Sequence, residues 1–330
     1  MRGFTAWLLG LALLFVLAVC DRAGAQHAIS VEYRQVEVSG LSLHYERYGP
    51  AEESVTPAAG TDAAPPAPPV LLLHGLGGST QVWLKTAPEL ARAGFTVYAL
   101  DFPGFGGSEV PPAKLSVLDL PRYAAAFLKE LGVSRVSVVG NSMGGYVAWL
   151  LAADYPELVE KLVLVDAAGL PLPDPLPETL QRLRPWYLGL PGAGLIGESL
   201  ERLLNSPELD DFTREIARPY IEQVFANPSR IAPEVFEALH RSFKESRAVF
   251  LGRLDFPSPA PDYARRLGSI AAPTLIIWGG QDSLLPPSHG GRFASLIPRS
   301  QLLVYPALGH VPMLEDAPTF LTDLLRFLRQ

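Results

Sequence analysis

The chain has 330 residues, of which 48% are hydrophobic, with a net charge of −7 and a single cysteine. This length allows two domains, or one large α/β domain that carries an insertion. The acidic balance argues against a nucleic-acid-binding protein, because such a protein needs a basic face. One cysteine excludes an internal disulfide and a multi-cysteine metal site.

The first 25 residues have the three-part pattern of a secretory signal peptide. Arg2 precedes an apolar run over residues 4–20, and cleavage after Ala25 would make Gln26 the first residue of the mature chain. Two alternatives stay open. Residues 17–20 (LAVC) resemble a lipobox whose Cys20 becomes lipidated, and an uncleaved run would serve as a membrane anchor. All three predict an extracytoplasmic protein, either periplasmic, secreted or tethered to the membrane.

Two segments of alternating apolar and polar residues follow, at 31–38 and 41–48, with Ser39 and Gly40 between them. This pattern predicts an antiparallel hairpin at the edge of a sheet. Residues 50–69 are rich in proline and alanine and contain almost no large apolar side chains. We therefore expect a flexible surface insertion there.

From residue 70 onward, short apolar runs alternate with helical patterns. Buried strands are predicted at residues 70–73, 95–100, 136–139, 162–165, 274–278 and 302–305. Helices are predicted at residues 80–92, 117–131, 143–155, 288–296 and 319–328. This order is typical of an α/β fold, with a mostly parallel twisted sheet flanked by helices.

The alternation is interrupted once, because no strand is predicted between residues 165 and 273. Four short helical patterns occupy this region, at residues 176–184, 198–204, 211–225 and 233–249. We predict an all-helical cap over residues 167–265. The cap would be inserted between a first part of the core at 26–166 and a second part at 266–330.

The strongest functional motif joins a predicted strand to a predicted helix at residues 138–145, VVGNSMGG. It matches G-x-S-x-G, the nucleophile elbow. A serine on such a turn has a strained backbone, so the residues two positions away must be small, and Gly140 and Gly144 meet that need. The turn also presents the hydroxyl at a helix N-terminus, where the dipole favours negative charge. Ser142 is therefore the predicted nucleophile, and it needs a histidine to remove its proton.

With this elbow, three further motifs resemble the α/β-hydrolase superfamily over residues 31–329. They are His74-Gly75, the D-x-P-G-x-G pattern at 101–106, and Gly309-His310. Among the six histidines of the chain, the resemblance implies that His310, after the last predicted strand, is the general base.

The resemblance also implies that Asp282 is the orienting acid, because Ser142, Asp282 and His310 follow the family's order of nucleophile, acid and base. Asp166, at the end of an earlier strand, is the alternative acid, and His289 is the alternative base.

Glycines surround His74 in the loop after the first buried strand, and such a loop can bring backbone N–H groups close to a substrate. The predicted oxyanion hole consists of the N–H groups of Leu76 and Met143, and His74 is expected to brace the loop. The glycine-rich segment at 101–108 matches neither a Walker loop nor G-x-G-x-x-G, so nucleotide binding is set aside.

Within the superfamily, the chain resembles bacterial carboxylesterases and monoacylglycerol lipases, which implies a serine hydrolase that cleaves acyl esters through an acyl-enzyme. The alternative is the branch of carbon–carbon hydrolases of aromatic ring-cleavage products, which share the GNSMGG elbow but usually carry tryptophan where this chain has Val311. A non-catalytic binding protein would have lost a triad residue or blocked the oxyanion loop, and the sequence shows neither change. We expect a small-molecule ester substrate, no nucleic-acid partner, no metal or organic cofactor, and membrane association only through the N-terminal segment.

Overall fold

The structure is a computed structural model that describes residues 29–50, 68–173, 206–207, 210–250 and 252–330. The predicted leader at 1–25, residues 51–67 of the predicted insertion and the helices predicted at 176–184 and 198–204 lie outside the described residues. In the part of the chain that is described, no helix has both the length and the apolar character needed to cross a membrane.

The strands form at the apolar and alternating runs of the sequence. Their bounds are β1 Ile29–Val38, β2 Leu41–Pro50, β3 Val70–Leu73, β4 Val97–Leu100, β5 Leu115–Ser116, β6 Val136–Asn141, β7 Val159–Val165, β8 Leu254–Asp255, β9 Thr274–Gly279 and β10 Ser300–Tyr305. Every residue of β3, β6 and β9 is buried, as expected for parallel strands that are covered on both faces.

One sheet of eight strands, in the order β1-β2-β4-β3-β6-β7-β9-β10, dominates the described residues. β1 and β2 form the predicted antiparallel edge hairpin, and β2 also pairs antiparallel with β4. The other neighbours in this sheet pair in parallel. The predicted α/β fold with a mostly parallel sheet is confirmed, and the carboxyl ends of β6, β7, β9 and β10 meet at one edge.

Helices connect and cover the strands of this sheet. Their bounds are α1 Ala87–Arg92, α2 Leu120–Glu130, α3 Met143–Asp154, α4 Asp210–Gln223, α5 Pro233–Lys244, α6 Arg247–Phe250, α7 Tyr263–Gly268, α8 Ser288–Leu296, α9 Pro312–Glu315 and α10 Ala317–Leu328. Helix α3 is apolar around nearly its whole circumference and packs against β6 and β7. It therefore lies in the core, and its first turn is held rigidly behind Ser142.

The insertion between β7 and β9 differs from the sequence prediction at one point. The two-residue strand β8 pairs in parallel with β5, so the expectation of an all-helical insertion is wrong at Leu254–Asp255. Leu254 is buried and Asp255 is exposed, and a run of two residues is too short to produce a visible period in the sequence. The cap boundaries at residues 167 and 265 stay predictions.

Candidate active site

Ser142 lies on the turn between β6 and α3, with φ 55° and ψ −115°. Residues other than glycine rarely adopt this backbone conformation. The two flanking glycines have no room for a side chain. A Cβ on Gly140 would lie 2.2 Å from the carbonyl oxygen of Gly144, and a Cβ on Gly144 would lie 2.1 Å from that of Leu73. The structure thus confirms that the elbow requires these glycines, and it leaves Ser142 half-buried.

His310 and Asp282 are in direct contact. The Nδ1 atom of His310 lies 2.8 Å from Oδ2 of Asp282, and both residues are buried. The other carboxylate oxygen, Oδ1, accepts hydrogen bonds from the N–H groups of Leu284 at 2.8 Å and Leu285 at 3.0 Å. Because Nδ1 is occupied by the carboxylate, Nε2 is the ring nitrogen left to accept a proton from a nucleophile.

Ser142 and His310 line the same cavity, which has a volume of about 110 Å³. Its described lining is mostly apolar and consists of Gly75, Leu76, Gly77, Gly78, Val82, Asn141, Ser142, Tyr220, Ile221, Val224, Leu239, Leu284, Leu285, His310 and Val311. Among these described residues there is no lysine, arginine or carboxylate. The cavity therefore suits a small neutral group placed against the serine hydroxyl.

The predicted oxyanion donors flank the nucleophile. Leu76 lines the cavity, and Met143 is the first residue of α3, where N–H groups have no carbonyl partner within the helix. Tyr220, from α4, donates its hydroxyl to the carbonyl oxygen of Leu76 at 2.5 Å. Sequence reasoning missed Tyr220, because it lies in the insertion and its contact joins segments that are far apart in the chain. Burial raises the pKa of Tyr220, so its hydroxyl stays a donor.

The loop that carries His310 is tied to the end of α4. The backbone N–H of His310 donates to the carbonyl oxygen of Val224 at 2.9 Å. The carboxylate of Glu315 accepts from the N–H groups of Gly309 at 2.7 Å and Ala226 at 2.9 Å, so it joins the same two segments. These backbone contacts give no signal in the sequence, yet they fix the histidine relative to the insertion.

Asn141 holds the other side of this loop. Its Nδ2 group donates to the carbonyl oxygens of Val165 at 3.1 Å and His310 at 3.0 Å. The side chain is buried, so both N–H groups of the amide are used within the protein. Its position inside the elbow motif is the one sequence feature that could have indicated this role.

The alternative histidines have other contacts. His74 is buried between two backbone groups, with Nε2 accepting from the Phe102 N–H at 3.1 Å and Nδ1 donating to the Gly75 carbonyl at 2.7 Å. Burial lowers the pKa of His74 and keeps the ring neutral, so it braces the loop as expected. His289, on α8, packs edge-on against Trp278. To act as the base, His289 would need the carboxylate of Asp282 as its partner, and Oδ2 of that carboxylate is hydrogen-bonded to His310.

Asp166, the alternative acid, lies beside the proposed triad. A carboxylate oxygen of Asp166, a carboxylate oxygen of Asp282 and a ring nitrogen of His310 lie within 4.8 Å of one another. All three residues are buried. A metal ion would have to compete with the hydrogen bond between His310 and Asp282 for the same atoms. The arrangement suits proton transfer better than metal binding.

Comparison with known proteins gives the family. A family model described as alpha/beta hydrolase fold matches residues 68–193 and 210–317. A 2-hydroxy-6-oxononadienedioate/2-hydroxy-6-oxononatrienedioate hydrolase of Burkholderia vietnamiensis (strain G4 / LMG 22486) is 31% identical over 302 residues, covering 88% of this chain and 92% of that protein.

Two solved structures extend the likeness. A membrane phospholipase A, described as a novel bacterial virulence factor, is 27% identical with a TM-score of 0.68, covering 91% of this chain and 86% of that one. A thermophilic esterase from Thermogutta terrifontis is 25% identical with a TM-score of 0.65, covering 90% of this chain and 98% of that one. Because the family model matches well over half of the residues, the chain belongs to the α/β-hydrolase family.

Proposed function

We propose that the protein is a serine hydrolase that cleaves carboxylic esters, with Ser142 as nucleophile, His310 as base and Asp282 as the acid that orients the base. The observation that carries this proposal is the hydrogen-bonded pair of His310 and Asp282 beside an uncharged apolar cavity that Ser142 also lines. The family membership supports a hydrolase, and the bond that is cleaved is the proposed part.

The reaction would proceed in two halves. His310 Nε2 takes the proton of the Ser142 hydroxyl as Oγ attacks the ester carbonyl, and the oxyanion is stabilised by the N–H groups of Leu76 and Met143. The alcohol then leaves with the proton from His310. A water molecule, deprotonated by His310, attacks the acyl-enzyme, and collapse of the second oxyanion returns the proton to Ser142 and releases the carboxylic acid.

The size of the cavity limits the acyl group. An apolar cavity of roughly 150 Å³ holds benzene, and the cavity here is smaller, about 110 Å³. An acyl chain of about four carbons would fill it, so kcat/KM is expected to be highest for acetyl to butyryl esters and to fall for longer chains.

Carbon–carbon hydrolysis is the second candidate, and the relative that is 31% identical favours it. That relative's name describes a substrate with two carboxylates. A carboxylate buried in an apolar cavity needs a cationic or hydrogen-bonding partner, and the described lining offers no cationic side chain. This difference in chemistry favours the neutral ester.

The experiment compares wild type with Ser142→Ala on p-nitrophenyl acetate, butyrate and decanoate, a monoacylglycerol and a ring-cleavage dienoate, with a fluorophosphonate probe as a label. Ser295→Ala, which removes an exposed serine hydroxyl on α8, is the matched control. The proposal expects ester turnover and labelling that Ser142→Ala abolishes and Ser295→Ala keeps. Turnover of the dienoate without ester turnover would replace it with the second candidate. Absence of both turnover and labelling in wild type would favour a non-catalytic binding protein.

We also propose that the protein acts outside the cytoplasm, on the basis of the N-terminal pattern at residues 1–25. Mass spectrometry of the N-terminus of the protein recovered from its source tests this. A mature chain that starts at Gln26 indicates a cleaved signal, a lipidated Cys20 indicates a lipoprotein, and an intact Met1 in the membrane fraction indicates an anchor. An intact chain in the cytoplasmic fraction would contradict the proposal.

A further inference from the structure

Asp166 directly follows β7, and hydrogen bonds hold both its backbone and its side chain in place. It is 0% exposed, and its backbone has φ 44°, in the left-handed region. Its N–H donates to the carbonyl oxygen of Ile277 at 3.0 Å, and its Oδ1 accepts from the N–H of Gly279 at 2.8 Å. Both contacts are with β9, the strand that leads to Asp282, so the carboxyl group is fixed against the acid loop.

The second oxygen of this carboxyl group has an unusual environment. Oδ2 of Asp166 is buried and receives no hydrogen bond from an N–H or O–H donor among the described residues. One oxygen of the Asp166 carboxyl group lies within 4.8 Å of an oxygen of Asp282 and a ring nitrogen of His310, and the negative charge of Glu315 also acts on this group. An ionised oxygen would therefore be buried without a donor and would face another carboxylate.

The two aspartates differ in how well they are solvated by the protein. Within the described ranges, Asp282 has three partners, the N–H groups of Leu284 and Leu285 and the ring nitrogen of His310, whereas Asp166 has the single N–H of Gly279. Two carboxylates this close cannot both ionise readily, and the negative charge is more stable where more donors point at it. Burial and the charge of Asp282 raise the pKa of Asp166 well above its ordinary value.

We propose that Asp166 is a neutral carboxylic acid that donates its Oδ2–H to the carboxylate of Asp282 and so positions the acid of the triad. It would stop Asp282 from rotating away from His310 and would share part of its negative charge. Asp166 is thus a positioning residue that acts through Asp282. The catalytic half of this inference rests on the proposed function, and the protonation state does not.

The variants Asp166→Asn, Asp166→Ala and Asp282→Asn test the catalytic half. An asparagine amide can accept from the Gly279 N–H and donate to Asp282 as the neutral acid does, and asparagine tolerates a positive φ. Asp166→Asn is expected to keep kcat on p-nitrophenyl butyrate within about threefold, and Asp166→Ala to lower kcat about tenfold or more with little change in KM. Asp282→Asn is expected to lower kcat at least about a hundredfold. The opposite result, with Asp282→Asn active and Asp166→Asn inactive, would make Asp166 the ionised acid and overturn the proposal.

Infrared difference spectroscopy between wild type and Asp166→Asn tests the protonation state without turnover. The proposal expects wild type at pH 7 to show the C=O band of a neutral carboxylic acid. This band should be absent from Asp166→Asn and present, at the same or a shifted frequency, in Asp282→Asn. Urea unfolding gives a second readout. Because the folded state keeps a proton that the unfolded chain releases, wild-type stability should fall as pH rises above the ordinary aspartate value, and Asp166→Asn should remove that slope. Absence of the band, or equal slopes in the two proteins, would refute a neutral Asp166 even if the protein hydrolyses no ester.

Discussion

Replacing Asn141 with alanine should weaken both the fold and the proposed reaction, because this amide joins the end of β6 to the loop that carries His310. The His310 carbonyl would lose the donor that Asn141 supplies, and a buried acceptor left unpaired costs about 1–3 kcal/mol. The Val165 carbonyl would still accept from the N–H of Ser142 at 3.0 Å. Losing its hydrogen bond from Asn141 therefore costs no more than one ordinary hydrogen bond, about 0.5–1.5 kcal/mol. The free energy of unfolding should therefore fall by about 1.5–4.5 kcal/mol.

The effect on turnover follows from the same contacts. Without the amide, the His310 backbone keeps its hydrogen bond to the carbonyl of Val224 but loses its link to β6. A displacement of the base by a fraction of an ångström is enough to lower kcat, and a shift of about 1 Å costs up to about a hundredfold. We expect kcat on p-nitrophenyl butyrate to fall between about tenfold and a hundredfold, with KM changed much less.

Urea unfolding at constant m-value, together with steady-state kinetics, measures both effects. The control is Ser295→Ala, whose exposed hydroxyl donates to the Arg292 carbonyl at 2.7 Å and whose loss should change stability by less than about 0.5 kcal/mol. Asn141→Asp would place carboxylate oxygens against two carbonyl oxygens and should be at least as damaging as alanine. If Asn141→Ala unfolds within about 0.5 kcal/mol of wild type and keeps full activity, then the amide does not connect the strand and the loop as argued.

Three further predictions concern the elbow, the oxyanion loop and pH. Gly144→Ala should destabilise the protein by about 3 kcal/mol in urea unfolding or leave it insoluble, since the new Cβ would lie 2.1 Å from a backbone oxygen. The control Gly291→Ala, whose Cβ would meet nothing within 4 Å, should be neutral or stabilising. Tyr220→Phe removes a hydrogen bond to the oxyanion loop and should lower kcat about threefold to tenfold; an unchanged kcat would contradict a role for that contact. Burial lowers the pKa of His74, so its contribution to stability is complete above its ordinary value of about 6.5 and falls as pH drops below it. Between about pH 7.5 and 5.5, wild type should therefore lose more stability than His74→Gln; equal losses would show that His74 takes up its proton in the fold.

The strands could be predicted from the sequence because buried parallel strands are short apolar runs with a clear beginning and end. Helix starts were less accurate, and proline explains why. The predicted helix at 80–92 is a 3₁₀ turn at Thr80–Trp83 followed by α1, whose first turn contains Pro88. A proline lacks the N–H that a helix interior needs, so the helix has to begin near it rather than run through it.

The candidate site was predictable where one residue needs a particular local backbone, and not where residues far apart in sequence meet. The elbow is local, since Ser142 requires glycine on both sides, and the structure bears this out. Tyr220 contacts a loop that is 144 residues away, and no short motif encodes that contact. The order of nucleophile, acid and base suggested Asp282 for the acid, but the sequence does not show which donors surround each carboxyl group.

The choice between Asp282 and Asp166 shows what the sheet adds to the sequence. The strands β7 and β9 are neighbours although the insertion separates them in the chain. Asp166 directly follows β7 and Asp282 lies in the loop after β9, so this pairing brings the two carboxyl groups close together. Of the two, Asp282 makes the hydrogen bond to His310, and one oxygen of Asp166 lies within 4.8 Å of both groups. Among the residues that the structure describes, three groups stabilise a charge on Asp282 and one N–H stabilises a charge on Asp166, so we expect the charge on Asp282. Adding a donor to Asp166 or removing one from Asp282 should move negative charge from Asp282 toward Asp166 without any change in the fold.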